Sequence, residues 1–146
     1  MQIPIRQDRA MEMKNEIRYI ELKTGYSDDG PAWIANVKLS KSGNTIYFNN
    51  KAFRKCQGIS GNYYDIETQE EYWISGVKKD GSDRHWAGHG KVVIEKDIVT
   101  DYLKVTGQQA IDQKRFDIVD IPKIYPTDRI NELENRIKNN STRPDK

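Results

Sequence analysis

The sequence predicts a mostly β fold, a small antiparallel meander or barrel of about seven short strands with a C-terminal helical appendage. Three observations predict it. Short β-branched and aromatic runs recur between residues 17 and 95. Clusters of turn formers separate them at a spacing of roughly ten residues. One of the runs alternates cleanly: Trp33, Ala35, Val37 and Leu39 against Ile34, Asn36 and Lys38, which gives a strand one largely apolar face. No βαβ alternation is visible, so a parallel nucleotide-binding sheet is not expected.

The elements follow in chain order. Residues 1–14 (MQIPIRQDRAMEMK) show no periodicity and read as a disordered leader. Ile17–Leu22 reads as the first strand and Thr24–Pro31 as a turn. Trp33–Leu39 is the alternating strand, followed by the turn Lys41–Asn44 and the strand Thr45–Phe48. Asn49–Asn50 suits a tight hairpin, because asparagine tolerates positive φ. Ala52–Cys56 is the return strand and Gln57–Asn62 a loop. Tyr63–Ile66, Glu71–Val77 and Lys91–Glu95 complete a β-rich domain over residues 15–104.

Asp97–Leu103 is expected to form one or two helical turns, with Asp97 as N-cap and Gly107 ending the segment. Residues 105–126 scatter apolar side chains among charges and read as an extended arm. Residues 127–140 form an amphipathic helix: Thr127 is the N-cap, and Ile130, Leu133 and Ile137 share a stripe. Glu132–Arg136 and Glu134–Lys138 are i,i+4 pairs in the favoured order. Residues 141–146 are a frayed tail. A helix this short is marginal alone in water, so its stripe is expected to dock on the barrel or on a second subunit. The long arm favours the latter, a homodimer through residues 105–140.

Charge and cysteine content exclude several function classes. Net charge is +2, and residues 15–104 carry thirteen basic and thirteen acidic side chains. Phosphate-driven binding needs a basic excess, so nucleic acid is not the expected partner. The lone Cys56 excludes an intramolecular disulfide and a cysteine-based zinc site. No apolar run approaches a membrane span, so no membrane association is expected, and a cytoplasmic location is the default.

The densest cluster of reactive groups is Lys78–Gly90 (KKDGSDRHWAGHG), with Asp80, Asp83, Arg84, His85, Trp86 and His89. A histidine beside a carboxylate makes a general base with its orienting group, so His85 or His89 with Asp83 defines a small-hydrolase hypothesis. The two histidines are four apart, a spacing that suits a metal only on a helix, and Gly88 and Gly90 argue against one. No metal site and no cofactor are therefore expected. The plainer reading is a polar loop with a turn at Asp80–Gly81. The leading expectation is a non-enzymatic binding module that contacts a protein or small ligand through residues 78–90. Its candidate contact residues are Tyr64, Trp73, Asp80, Arg84 and Trp86.

Tyr63–Tyr64 and Tyr72–Trp73 supply a second site. Neighbours in a strand point to opposite faces, so one of each pair enters the core and the other lies outside. Outward Tyr64 and Trp73, with Phe53 among Lys51, Arg54 and Lys55, define a third hypothesis, single-stranded nucleic-acid binding. Cys56 has no adjacent histidine and reads as inert. Gly58-Ile-Ser-Gly61 is too short for a phosphate loop and lacks its lysine.

The pieces RYIELKTGYSDDGPAWI, SKSGNTIYFNNKA and GNYYDIETQEEYWISGVKKDGSDRHWAGHGKVVIE are similar to a family of small bacterial β-rich proteins with no established activity. The resemblance spans about half the chain, from Tyr19 to Val93. Such proteins sometimes carry the name of the thiamine-dependent deoxyxylulose phosphate synthase. Enzymes resembling that synthase hold magnesium with a Gly-Asp-Gly motif and a later asparagine. Asp80-Gly81-Ser82-Asp83 departs from that pattern, and the chain is too short for two cofactor-binding domains.

Overall fold

A computed structural model describes residues 13–23, 30–83 and 91–127. The leader at 1–12, the turn at 24–29, the loop at 84–90 and the chain from 128 onward lie outside the described residues. With them lie the expected C-terminal helix beyond Thr127 and its tail.

Six strands close a barrel: β1 Lys14–Leu22, β2 Ala32–Leu39, β3 Thr45–Phe48, β4 Lys51–Lys55, β5 Tyr63–Asp65 and β6 Glu71–Gly76. Each is antiparallel to the next, and β6 returns to β1. Closure removes the edges that an open meander would leave unpaired. The β3–β4 hairpin turns on Asn49 and Asn50, whose φ values of 48° and 62° are both positive. This is the two-residue turn whose twist matches the flanking strands. Asn50→Val is expected to cost about 1–2 kcal/mol, because a β-branched residue resists left-handed backbone. Asn50→Gly should leave the urea midpoint nearly unchanged.

Alternation decides which side chains fill the barrel. Ile20 stands opposite both Trp33 and Ile74, and Ile46 opposite both Leu39 and Phe53. These residues, with Ala35, Val37, Phe48, Tyr63 and Tyr72, form the interior cluster. Phe53 meets Tyr72 edge to face, with ring centroids 4.7 Å apart. The expected split of the tyrosine pairs is therefore observed: Tyr63 and Tyr72 are buried, while Tyr64 and Trp73 point outward.

A second layer covers the outer face of β1 and β2. β7 (Val92–Glu95) runs parallel to β2 through Trp33↔Val93 and Ile34↔Ile94. The 3-10 turn Lys96–Ile98 leads into α1 (Val99–Thr106), and the chain returns as β8 (Phe116–Val119), parallel to β7. The last strand is thus not part of the antiparallel meander, and one βαβ unit is present where none was read. Its signal was hidden because the helix has eight residues and β8 four. β8 falls within residues 105–126, read as an extended arm.

Tyr19, Ile34, Val92, Ile94, Ile98, Tyr102 and Phe116 pack this layer. β1 is consequently buried on both faces at Tyr19–Glu21, and β2 is buried on both faces around Ile34 and Ala35. Gly107 ends α1 in the left-handed conformation (φ 70°), as expected. Asp97 does not cap the helix; no side-chain cap bond is made, and its carboxylate instead pairs with Lys123.

β3 and β7 share one edge of β2, and Asn36 lies where they diverge. The buried Glu95 carboxylate accepts the Asn36 N–H at 2.9 Å. This satisfies a backbone donor that neither strand reaches. Beyond β8 the chain lies on its own barrel as far as Thr127. Ile121 packs against the interior cluster, Asn50 N–H donates to the Ile124 carbonyl, and the Lys38 ammonium sits 5.3 Å from the Tyr125 ring centre.

Candidate functional site

The loop that leaves β6 is closed by its own carboxylates. Asp80 Oδ1 accepts from the Ser82 N–H at 3.0 Å and from the Ser82 hydroxyl at 2.6 Å. The Ser82 bonds hold the Asp80 carboxyl below its usual range. Gly81 N–H donates to the Lys78 carbonyl, and Gly81 turns with φ 74°. Asp83 Oδ1 reaches back to accept the Lys78 N–H at 2.8 Å. The expected turn at Asp80–Gly81 is therefore formed and pinned at both ends.

This loop lies against α1. A side chain at Gly81 would begin 2.8 Å from Gln108 Nε2 and 3.6 Å from the Tyr102 hydroxyl. Only glycine combines that approach with positive φ. Tyr102 is fully buried, its ring edge-to-face on Phe116 at 5.8 Å.

Three buried polar atoms lack a hydrogen-bond partner among the described residues: Asp83 Oδ2, the Tyr102 hydroxyl, and Glu95 Oε2, whose other oxygen holds the Asn36 N–H. The first two belong to this loop and to α1. Burial pushes the Asp83 carboxyl up. Burial, with Asp83 and Asp80 nearby, raises the Tyr102 phenol to about 12, against a smaller opposing pull from Arg115. A neutral phenol donor on α1 thus lies near a half-buried carboxyl acceptor on the loop. An unmet buried polar atom costs about 1–3 kcal/mol. Each such atom calls for a partner, and a bound group is one that could supply it.

Of the residues singled out in the sequence, Asp80 and Asp83 share this loop. Arg84, His85, Trp86 and His89 lie outside the described residues. Tyr64 is half-buried elsewhere, against Tyr47, Ala52 and Ile66. Trp73 is 42% exposed on the outer face of β6, opposite Glu21. Phe53 is fully buried and unavailable for stacking, which corrects the nucleic-acid site drawn around it. It was misplaced because charged neighbours on both sides suggested an exposed strand face.

Tyr102, Gln108 and the close approach of Gly81 were missed. Ile98 and Tyr102 are four apart and both buried, so helical periodicity could have placed Tyr102 inward. The short glycine-bearing loop at 57–62 takes an anion of its own: Glu71 Oε1 accepts the N–H groups of Ser60 and Gly61 at 2.9 and 2.8 Å. Those bonds hold the Glu71 carboxyl below its usual range. Cys56 is half-buried and free. Among the described residues no group of three or more histidine, cysteine or acidic side chains converges as metal ligands. No described helix is long and apolar enough to cross a membrane.

No protein-family model, curated protein or solved structure matches this chain.

Proposed function

We propose that the protein is a non-enzymatic binding module whose contact surface is the Lys78–Gly90 segment, of which the described turn, residues 78–83, lies against α1. The observation that carries this reading is that Asp83 Oδ2 and the Tyr102 hydroxyl, buried on neighbouring elements, are unmet among the described residues. A group that both accepts and donates, such as an amide or hydroxyl, completes the pair; a cationic donor completes the ionised carboxylate. The ligand is a protein segment or small molecule bearing such a group, and its setting is the cytoplasm, where the free Cys56 stays reduced.

The hydrolase reading is weaker. Asp83 Oδ1 is already taken by the Lys78 N–H, so only Oδ2 remains to orient an imidazole. Titration of His85 and His89 by NMR separates the two readings, since a general base would show a strongly displaced pKa.

The test uses amide and side-chain NMR with two probes, N-methylacetamide and butylammonium. Shifts confined to Gly81, Asp83, Tyr102 and Gln108 are expected, and lost in Tyr102→Phe. The same substitution should raise the stability of the unliganded protein by about 1 kcal/mol, because it removes an unmet hydroxyl. Shifts that cluster elsewhere, or a Tyr102→Phe variant that is less stable, would sink the proposal.

Asp83 also predicts a pH dependence. Its folded pKa is raised above the unfolded value, so between the two the folded state holds the extra proton. Stability therefore falls as pH rises through that window. Asp83→Asn should flatten that part of the profile, read from urea midpoints across the acidic range above the ordinary aspartate value.

A further inference from the structure

The closed barrel leaves the eight-stranded sheet with a single open edge among the described residues, the far side of β8. β7 satisfies the near side through Val92↔Phe116 to Glu95↔Val119. Beyond the buried Phe116, β8 exposes two apolar side chains, Ile118 at 44% and Val119 at 40%. Phe116–Val119 is short, but it holds no lysine and no proline to block pairing. Its one charge, Asp117, is engaged by Lys91 at 3.4 Å. A row of backbone donors and acceptors flanked by apolar side chains is matched only by another extended chain.

We propose that this edge pairs with the β8 edge of a second copy, antiparallel about a two-fold axis at Ile118. The charge order along the strand favours self-pairing. Lys114 and Arg115 precede the strand, and Asp117 and Asp120 lie within and after it. Antiparallel pairing therefore runs the basic end of one copy along the acidic end of the other. With Ile118 opposite Ile118, Asp117 faces Val119 and Phe116 faces Asp120, so no like charges meet. A register centred on Asp117 would instead oppose two carboxylates, which is destabilising. The two sheets become one sixteen-stranded surface, and the exposed isoleucines cover each other. The association is isologous, so it closes at two copies.

The experiment measures the mass of the full chain by light scattering across a concentration series, with amide exchange of β8. Wild type is expected to move from the 17.0 kDa of one chain to twice that value. Exchange at Ile118 and Asp120 should slow as the dimer fills. Ile118→Lys places two ammonium groups together and should remain monomeric at every concentration, with unchanged circular dichroism. Ile59→Lys, at a loop residue that is 99% exposed, should dimerise like wild type. A wild-type chain that stays monomeric, a dimer that survives Ile118→Lys, or β8 amides already protected in the monomer would each overturn the proposal.

Discussion

Phe53→Ala is expected to cost about 3–5 kcal/mol, enough to threaten folding of a domain this small. Phe53 is fully buried at the centre of the barrel, between Ile46 on β3 and Asp65 on β5, with its ring against Tyr72. Truncation removes an aromatic ring and leaves a cavity walled by strands on every side. A closed barrel cannot collapse onto such a cavity without breaking its ladder, so the cost falls at the upper end of the range. Trp73→Ala supplies the contrast. Trp73 is larger but 42% exposed on the outer face. Its loss should cost only about 1 kcal/mol, in proportion to the apolar area it covers. Urea unfolding of both variants checks the ordering. Similar losses at the two positions would mean that the barrel interior is not the main core.

That contrast also shows which parts of the fold were legible in the sequence. Strand faces were legible wherever alternation was unbroken. Trp33, Ala35, Val37 and Leu39 fall on one face, as read, and Asn49–Asn50 form the hairpin expected of them. Legibility failed where tertiary packing decides. Ile34 looked like the polar side of its strand, yet a second layer buries it. That layer comes from β7, α1 and β8, and β8 is a four-residue strand that no periodicity can mark. Phe53 failed in the opposite direction, because Lys51, Arg54 and Lys55 coloured a segment whose alternate residues turn inward. For the site, the carboxylates were legible as a cluster in one loop. Their partner Tyr102 was not, since it arrives from a helix about twenty residues downstream, and only the topology brings the two together.

Lys23→Met should be the second most damaging substitution, at about 2–4 kcal/mol. Its target is Glu21, a residue only 4% exposed on the outer face of β1. The Tyr19 hydroxyl donates to Oε1 at 2.5 Å and the Lys23 ammonium to Oε2 at 3.1 Å. Breaking such a pair from one side strands a charge in a dry setting, and that penalty exceeds what the intact pair contributes. The Lys23 side chain keeps 18% of its exposure, so water offsets part of the loss and the figure sits below that of a fully buried pair.

A double-mutant cycle isolates the effect. Glu21→Gln with Lys23→Met leaves no charge behind and should recover more than half of the loss from Lys23→Met alone. A cycle with no coupling would mean that solvent, rather than Lys23, balances Glu21. The comparison with Asp83 gives the result its wider use. Glu21 has both oxygens met, so removing its partner destabilises. Asp83 has one oxygen unmet among the described residues, so at neutral pH Asp83→Asn should be neutral or stabilising. Opposite responses at the buried Glu21 and the half-buried Asp83 would separate a carboxylate whose partners hold the fold from one with an oxygen left over for the proposed ligand.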